Sequence, residues 1–353
     1  MRTVTVSASR NYTILIAPGI LSVIGEKVRE LFPKAKTAAV ITDDIVKELY
    51  LEPIAKSLSE AGLAPLCRSV PPGESSKSPK NYLALLDWLC ENRLGRSDII
   101  IALGGGVVGD LAGFTAATYM RGCPLVQVPT TLLAMVDSSV GGKTGIDLEA
   151  GKNLAGAFYQ PSLVICDTKT LGTLPEHTFK DGLAEVIKYG MLGSAEILKS
   201  LQKFYPKDNP DELIEKCVRM KRDLVQRDEL DTGERMLLNF GHTIGHAIEK
   251  LSEYTISHGF AVAAGMSIDT RAAFRKGLCT KECLDVLSDL LERFGLPRGT
   301  NYTARELYEA ALHDKKREGD EITITAPCAF GKSELKKITV ASLLDWIETG
   351  AAA

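Results

Sequence analysis

The 353-residue chain carries 42 basic and 45 acidic residues, a net charge of −3 that favours neither a nucleic-acid nor a membrane partner. No apolar run reaches the roughly 18 residues of a membrane span, and Met1–Val6 alternates like a strand instead of forming a signal peptide. Eight scattered cysteines include no CxxC pair, as expected for reduced, mostly buried thiols in a cytoplasmic protein. The length suits two domains.

Strands and helices alternate along the first half of the chain. Val4–Ala8 and Tyr12–Ile16 predict an N-terminal hairpin. The other predicted strands are Ala38–Thr42, Leu66–Val70, Asp98–Leu103 and Leu125–Val128, and the predicted helices are Ile20–Leu31, Ile45–Ala61, Pro79–Asn92 and Asp110–Met120. This order predicts an α/β domain with a Rossmann-like, mostly parallel sheet that binds ligands at the carboxyl ends of its strands.

The pattern becomes mainly helical after residue 174. The predicted helices are Asp181–Leu192, Ala195–Lys203, Asp211–Asp228, Arg235–Leu251, Ala261–Gly277, Lys281–Phe294 and Ala304–His313. A short β element at Ile322–Ile324 and a closing helix from Ser342 follow. We therefore expect an α/β domain at residues 1–175 and a mainly α-helical domain at 176–353, with the active site in the cleft between them.

A glycine-rich turn follows the predicted strand Asp98–Leu103. Residues 104–109 have the GxGxxG spacing, which is typical of a turn whose amides bind a pyrophosphate. Tight turns use glycine without a cofactor as well, so the spacing alone leaves both interpretations open. The next strand ends in Pro129–Thr131 without the acid that binds ribose in a Rossmann unit, whereas Asp43 ends an earlier strand and is the candidate.

All five histidines lie in the second half of the chain, and three of them fall between residues 242 and 258. His242 and His246 are four residues apart, so spacing alone favours these two as ligands of one ion on a helical face. The alternative for a lone histidine on a helix is a packed or capping side chain. His258 is the third member of the group.

Seven motifs stand in a fixed order between residues 104 and 266, namely GGGVVGDLAGF, YMRG, VPTTLLAMVDSSVGGKTGID, GKNLAGAFYQP, GLAEVIKYG, LLNFGHTIGHAIE and HGFAVAAGM. Together they resemble the 3-dehydroquinate synthase family, and the resemblance extends from about residue 37 to about residue 332. The resemblance implies the dehydroquinate synthase-like fold and a lyase of the shikimate pathway to chorismate and aromatic amino acids. This lyase converts 3-deoxy-D-arabino-heptulosonate 7-phosphate to 3-dehydroquinate and phosphate.

The resemblance also implies the course of the reaction and the cofactors. The steps are transient oxidation by NAD, elimination of phosphate, re-reduction and an intramolecular aldol closure. A divalent metal, zinc or cobalt, is the second cofactor, and the enzyme is a homodimer of the cytoplasm.

The metal ligands implied by the resemblance differ from the pair His242 and His246, which helical spacing favours. They are Glu185, His242 and His258, and His246 takes a catalytic or substrate-binding role. We follow the resemblance, because two histidines and one carboxylate leave a coordination position open for a substrate. The family usually has an acid where this chain has Phe260, which would weaken the metal site unless another acceptor replaces it.

The remaining site residues are assigned by resemblance alone. The NAD-binding set is Asp43, Gly73, Glu74, Lys77, Gly105, Gly106, Val107, Val108, Gly109, Asp110, Thr130, Thr131, Asp137, Lys143, Lys152, Thr170, Leu171, Gly172 and Thr173. The substrate-binding set is Arg121, Lys143, Lys152, Asn153, Lys188, Lys221, Arg235, Asn239, His246, Lys315 and Lys316. The catalytic candidates are Asp137, Lys143, Lys188 and His246. A small substrate with a phosphate and a carboxylate requires such a ring of cations.

Two other interpretations stay open. One is an enzyme of the same fold, either a different sugar-phosphate cyclase or a metal-dependent polyol dehydrogenase. The other is a cofactor-binding regulatory protein whose chemistry has decayed. The synthase is favoured over both by a set of intact residues: Lys143, Lys152, Asn153, Arg235, Asn239 and His246.

Overall fold

The computed structural model describes residues 1–312, 317–318 and 320–352. Lys315 and Lys316, assigned above to the substrate, lie outside the described residues. The chain divides into a first unit, Met1–Leu174 with Pro210–Leu230, and a second unit, Pro175–Asn209 with Asp231–Ala353. The sequence prediction had placed 210–230 in the helical domain, whereas its contacts group this segment with the α/β unit.

The described residues form twelve strands and thirteen α-helices, together with short 3₁₀ and π helices. The strands are β1 (Arg2–Val6), β2 (Tyr12–Ala17), β3 (Thr37–Asp43), β4 (Ala64–Val70), β5 (Ile99–Gly104), β6 (Leu125–Pro129), β7 (Lys143–Leu148), β8 (Gly151–Phe158), β9 (Leu163–Asp167), β10 (Arg317–Glu318), β11 (Glu321–Ala329) and β12 (Lys332–Thr339). The helices are α1 (Ile24–Leu31), α2 (Asp44–Val46), α3 (Glu52–Glu60), α4 (Pro79–Glu91), α5 (Gly106–Thr118), α6 (Glu176–Gly193), α7 (Ala195–Lys203), α8 (Pro210–Arg227), α9 (His242–Leu251), α10 (His258–Arg275), α11 (Lys281–Phe294), α12 (Ala304–Ala311) and α13 (Val340–Ala351).

A seven-stranded sheet in the order β1-β2-β9-β6-β5-β3-β4 is the frame of the first unit. β1 and β2 are antiparallel, and the other pairs are parallel, so the predicted mostly parallel sheet is confirmed. Ile99 and Ile101 of β5 pack in one apolar core, and Ile100 packs in the other, because successive strand residues point to opposite faces. Helices cover both faces, as buried parallel strands require.

The β7–β8 hairpin was not predicted. The sequence indicates no strand in residues 143–158, but they pair as antiparallel strands. Several side chains of β8 are exposed, so the segment lacks the apolar run that indicates a buried strand. The hairpin carries two predicted site residues, Lys152 and Asn153, on an ordered element of the first unit.

Helices dominate the second unit, together with the three-stranded antiparallel sheet β10-β11-β12. The prediction of one continuous helix over Arg235–Leu251 was wrong. A short 3₁₀ helix covers Glu234–Asn239, and the chain turns at Gly241, whose φ of +76° favours glycine, before α9 begins at His242. Among the described residues, no helix is both long and apolar enough to cross a membrane.

Candidate active site

Three metal-ligating side chains meet in the second unit. Glu185 lies within α6, His242 is the first residue of α9, and His258 is the first residue of α10. One ligand atom of each lies within 4.8 Å of the others. The Nε2 atoms of His242 and His258 are 3.6 and 3.4 Å from Oε1 of Glu185. Two imidazoles and one carboxylate are a ligand set of catalytic zinc sites, so these donors suit a divalent cation.

His246 does not complete this triad. Its ring lies 5.5 Å from that of His242, centroid to centroid, and its ligating atom groups instead with those of Glu249 and His258. In the part of the chain that the structure describes, no group of three metal-ligating side chains contains both His242 and His246. The geometry therefore favours the ligand set implied by the resemblance over the helical pair.

The start of α10 is fixed by α6. Oδ1 of Asp181 accepts hydrogen bonds from the amides of Gly259 and Phe260, at 2.7 and 3.3 Å. A Cβ at Gly259 would lie 1.9 Å from the carbonyl oxygen of Asp181, so only glycine permits this approach. Since Asp181 is one helical turn before Glu185, the same helix supplies one ligand and places His258. Sequence reasoning missed Asp181, because the contact joins distant helices.

The start of α9 is fixed by a buried carboxylate of α10. The amide of Gly241 donates a hydrogen bond to Asp269, at 3.2 Å. The indole of Trp346, from α13, donates to the same carboxylate at 2.8 Å. The residue before His242 is thus held by α10, which is itself tied to the closing helix.

Each histidine of the triad has an oxygen atom beside its second ring nitrogen. Nδ1 of His242 is 3.0 Å from the carbonyl oxygen of Phe240. Nδ1 of His258 is 3.1 Å from Oε2 of Glu249. Burial alone would lower the pKa of His258, but its hydrogen bonds to Glu185 and Glu249 outweigh burial and raise the pKa to about 10.

Two cations are buried in the second unit, and one of them contacts the triad. Lys188 forms an ion pair with Glu185, and each of these side chains is only 1% exposed. Arg235 is also 1% exposed and lies in the 3₁₀ helix that carries Asn239. Burial of a charge is costly unless it is paired, so a lysine and an arginine at these positions indicate an anionic environment. Phe260, in contrast, stacks on the ring of His177 at 4.5 Å.

A second cluster lies in the first unit, around Lys77. Its ammonium group is 2.8 Å from Asp110, 2.6 Å from Oδ1 of Asn153 and 3.5 Å from Glu74. The side chain is 4% exposed. Burial opposes the charge, but Asp110 and Glu74 outweigh burial and raise the pKa of Lys77 above its usual range. Lys77 therefore stays charged at the centre of this cluster.

The β7–β8 hairpin completes the cluster. Lys152 lies 3.5 Å from Glu74, and the amide of Asn153 donates to Asp147 at 2.7 Å. The amide of Asp147 in turn donates to the carbonyl of Lys77 at 2.8 Å. Asp147 was not among the predicted site residues, since its role is to join the hairpin to the Lys77 segment. Five predicted residues thus meet here: Glu74, Lys77, Asp110, Lys152 and Asn153.

Lys221 is brought to Asp137 because α8 belongs to the first unit. Its ammonium group is 2.5 Å from the carbonyl oxygen of Asp137 and 3.1 Å from its Oδ1. The Lys221 side chain is buried. Lys143, at the start of β7, is exposed, and Arg121 lies in a turn with φ of +63°.

The glycine turn suits a dinucleotide. α5 begins at Gly106, earlier than predicted, and its N-cap Gly105 offers no side-chain cap to the first amides. A Cβ at Gly106 would lie 3.0 Å from Oγ of Ser138. Within the described residues, the buried Oγ1 of Thr130 has no hydrogen-bond partner. First-turn amides without a side-chain cap and an unsatisfied hydroxyl are groups that a bound pyrophosphate and ribose would use.

The other predicted NAD residues also line ends of strands. The carboxylate of Asp43 accepts hydrogen bonds from the amides of Ile45 and Val46, both at 2.9 Å, and so caps α2. The hydroxyl of Thr170 donates to the carbonyl of Thr130 at 3.3 Å. The segment Thr168–Gly172 forms a 3₁₀ helix directly after β9. Asp43 thus has a structural role in addition to the ribose contact expected from the sequence.

Comparisons with known proteins agree along most of the chain. A family described as "3-dehydroquinate synthase N-terminal" matches residues 67–181, and "3-dehydroquinate synthase C-terminal" matches residues 182–317. The 3-dehydroquinate synthase of Clostridium kluyveri is 43% identical over 335 residues, 93% of either chain. That of Clostridium perfringens is 46% identical over 341 residues, 94% of this chain and 96% of the relative.

A solved structure shares the whole fold. It is 2-deoxy-scyllo-inosose synthase complexed with carbaglucose-6-phosphate, NAD+ and Co2+. Its TM-score to this chain is 0.87 at 25% identity, over 98% of this chain and 99% of that one.

Proposed function

The chain belongs to the 3-dehydroquinate synthase family, and from this membership we propose how its residues perform the family's reaction. It is an NAD- and divalent-metal-dependent lyase that converts 3-deoxy-D-arabino-heptulosonate 7-phosphate to 3-dehydroquinate and phosphate. The observation that carries this function is the grouping of Glu185, His242 and His258 in a chain 43% identical to a 3-dehydroquinate synthase.

We assign the metal to the second unit and NAD to the first. Glu185, His242 and His258 would hold zinc or cobalt. When bound, the metal polarises a substrate oxygen as a Lewis acid, and NAD accepts and returns a hydride. The protein supplies the geometry: α6, α9 and α10 fix the three ligands, and the backbone contacts of Asp181 and Asp269 set the starts of two of those helices.

The second unit also supplies charge for an anionic substrate. Lys188 and Arg235 are buried cations, and their fixed positive charges would orient a phosphate or carboxylate and exclude water from it. Asn239 adds a neutral hydrogen-bonding group on the same 3₁₀ helix as Arg235. His246 is exposed and lies outside the metal triad. By resemblance it takes a catalytic or substrate-binding role, in which an imidazole can hold or move a substrate proton.

The first unit would bind NAD at its glycine turn and the Lys77 cluster. The amides at the start of α5 suit the pyrophosphate, and Oγ1 of Thr130 suits a cofactor hydroxyl. Lys77 holds the Glu74 and Asp110 carboxylates and the β7–β8 hairpin in one arrangement. This network would hold Lys152 and Asn153 in position to bind the substrate, and Lys152 also NAD, as the resemblance implies. Lys221 would similarly hold the predicted catalytic Asp137.

We further propose that the enzyme is a cytoplasmic homodimer. All eight cysteines are free thiols, which suits a reducing compartment. The dimer follows from the family resemblance. Sedimentation velocity should give twice the mass of one chain, and the mass of one chain would contradict the dimer.

The test of the function is release of phosphate from 3-deoxy-D-arabino-heptulosonate 7-phosphate. Purified protein with NAD and zinc or cobalt should release phosphate and form 3-dehydroquinate in equal amounts. A chelator should stop both, and added metal should restore both. Release that persists after complete removal of metal, or phosphate without 3-dehydroquinate, would contradict the proposal.

A further inference from the structure

The two ring nitrogens of His258 face different carboxylates. Nε2 is 3.4 Å from Oε1 of Glu185, whereas Nδ1 is 3.1 Å from Oε2 of Glu249. A ring nitrogen that binds a metal needs its lone pair, and the proton then sits on the other nitrogen. Which nitrogen keeps the proton is set by the acceptor beside it.

Glu249 is a buried carboxylate. It lies near the end of α9, and its side chain is only 3% exposed. A buried carboxylate is costly unless charged or polar partners stabilise it. The hydrogen bond to His258 supplies such a partner, and it joins the end of α9 to the first residue of α10.

We propose that Glu249 is a positioning residue for the metal ligand His258. Its carboxylate accepts the hydrogen bond from Nδ1–H, fixes that tautomer, and directs the Nε2 lone pair toward Glu185 and His242. This inference rests on the metal site proposed above. It also explains how the chain can lack the family's usual acid at position 260. The hydrogen-bond acceptor for His258 comes from Glu249 of α9 instead.

The other histidine ligand is oriented differently. Nδ1 of His242 lies 3.0 Å from the backbone carbonyl of Phe240, an acceptor that no substitution removes. The acceptor beside His258 is a side chain, Glu249, so a substitution can remove it. Outer partners of this kind typically contribute 10- to 100-fold in metal affinity.

A competing arrangement makes Glu249 a ligand itself. His246, Glu249 and His258 also have ligating atoms within 4.8 Å of one another. An ion held there together with the first would use both nitrogens of His258, and each chain would then bind two ions. The hydrogen-bonding role requires one ion for each chain, so stoichiometry separates the two arrangements.

The experiment compares two substitutions at the same position. Glu249→Gln keeps an oxygen that can accept from Nδ1–H, whereas Glu249→Leu removes the acceptor at similar size. Zinc affinity is measured by competition with a chromogenic chelator, and stoichiometry by elemental analysis. Asp98→Asn is the matched control, because Asp98 is a buried carboxylate of the first unit that accepts from the amides of Lys36 and Thr37, both at 2.9 Å.

We expect one zinc ion for each wild-type chain. Glu249→Leu should lower zinc affinity about 10- to 100-fold, Glu249→Gln should lower it less, and Asp98→Asn should leave it within twofold. Nitrogen-15 spectra of histidine-labelled, zinc-loaded protein should show an Nδ1–H proton on His258 in the wild type and in Glu249→Gln. This tautomer signature should be lost in Glu249→Leu, which a purely structural role of Glu249 would not produce.

Several results would overturn the inference. One is a Glu249→Leu protein that stays folded and binds zinc within twofold of the wild type. Another is two ions in the wild type and one in both Glu249 variants. If Glu249→Leu does not fold, Glu249→Gln decides the question. Wild-type zinc affinity together with an unprotonated Nδ1 of His258 in Glu249→Gln would also overturn the inference. A wild-type chain that binds no zinc overturns the metal site itself, so failure of the site and failure of the inference are distinguishable.

Discussion

The metal triad of the second unit and the Lys77 cluster of the first unit bury charge in opposite ways. In the triad, ligand atoms of two histidines and one glutamate converge within 4.8 Å, an arrangement that suits a cation from outside the chain. In the Lys77 cluster, the cation is part of the chain, and its ammonium group lies between Asp110, Glu74 and Asn153. From this difference we propose that the first arrangement binds an ion and that the second holds loops in place.

The largest expected effect separates His258 from His246. His258→Ala should lose both bound metal and activity, because it removes one of three ligands. His246→Ala should lose activity but keep its metal, since His246 lies outside the triad. Elemental analysis of both proteins decides the matter. Loss of metal from His246→Ala, with retention by His258→Ala, would favour the pair suggested by helical spacing.

The next effect concerns the centre of the Lys77 cluster. Lys77→Met removes the buried ammonium group that Asp110 and Glu74 stabilise, so we expect a loss of about 3–5 kcal/mol in the free energy of unfolding. NAD affinity and activity should fall, while bound metal should stay at the wild-type level.

Lys152→Met is the control for that change. The Lys152 side chain is 25% exposed and lies 3.5 Å from Glu74, so its loss should cost less than about 1 kcal/mol. Urea unfolding and metal analysis measure both variants. Two results would contradict the contrast between the metal triad and the Lys77 cluster. One is an equal loss in the free energy of unfolding for Lys77→Met and Lys152→Met, and the other is loss of metal from Lys77→Met.

A smaller effect tests how closely α10 approaches α6. In Gly259→Ala, the new Cβ would clash with the carbonyl of Asp181, so the start of α10 has to shift. We expect a loss of about 1–3 kcal/mol in stability, as for overpacked sites, together with weaker zinc binding. Gly299→Ala is the control, because its Cβ would meet only an ordinary contact at 3.7 Å. Unchanged zinc affinity in Gly259→Ala would show that the approach does not position His258.

The smallest effect concerns Thr130. Thr130→Val replaces a buried hydroxyl that has no partner among the described residues with a methyl group, so the free protein should become slightly more stable or stay unchanged. NAD affinity should nevertheless fall, by about 0.5–1.5 kcal/mol. Thermal melts measure the change in stability, and NAD titration measures the change in NAD affinity. In the control Thr115→Val, the lost hydroxyl bonds to Leu111 at 2.8 Å, so stability should fall instead. Unchanged NAD affinity in Thr130→Val would remove Thr130 from the cofactor site.

The sequence was most informative where local patterns decide structure. The apolar run of β5 and the glycines after it predicted a buried strand followed by a helix, although α5 begins at Gly106 and not at Asp110. Gly241 was not recognised as a helix break, because the flanking residues continue a helical pattern. The β7–β8 hairpin was missed because much of β8 is exposed.

Long-range contacts were beyond sequence reasoning. Helical spacing favoured His242 with His246, and only the resemblance brought His258 into the triad. The contacts of Asp181 and Glu249 join helices that no periodic pattern relates. The placement of α8, and with it Lys221, in the first unit likewise follows from packing between segments far apart in the chain.

The central claim is that this chain eliminates phosphate without a net oxidation. The most direct measurement follows phosphate release and the absorbance of reduced nicotinamide together, with substoichiometric NAD and excess 3-deoxy-D-arabino-heptulosonate 7-phosphate. Because the oxidation is reversed within each turnover, many phosphates should be released for each NAD, with no lasting absorbance of NADH. One NADH for each turnover, as a polyol dehydrogenase would give, or no phosphate at all, would contradict the claim.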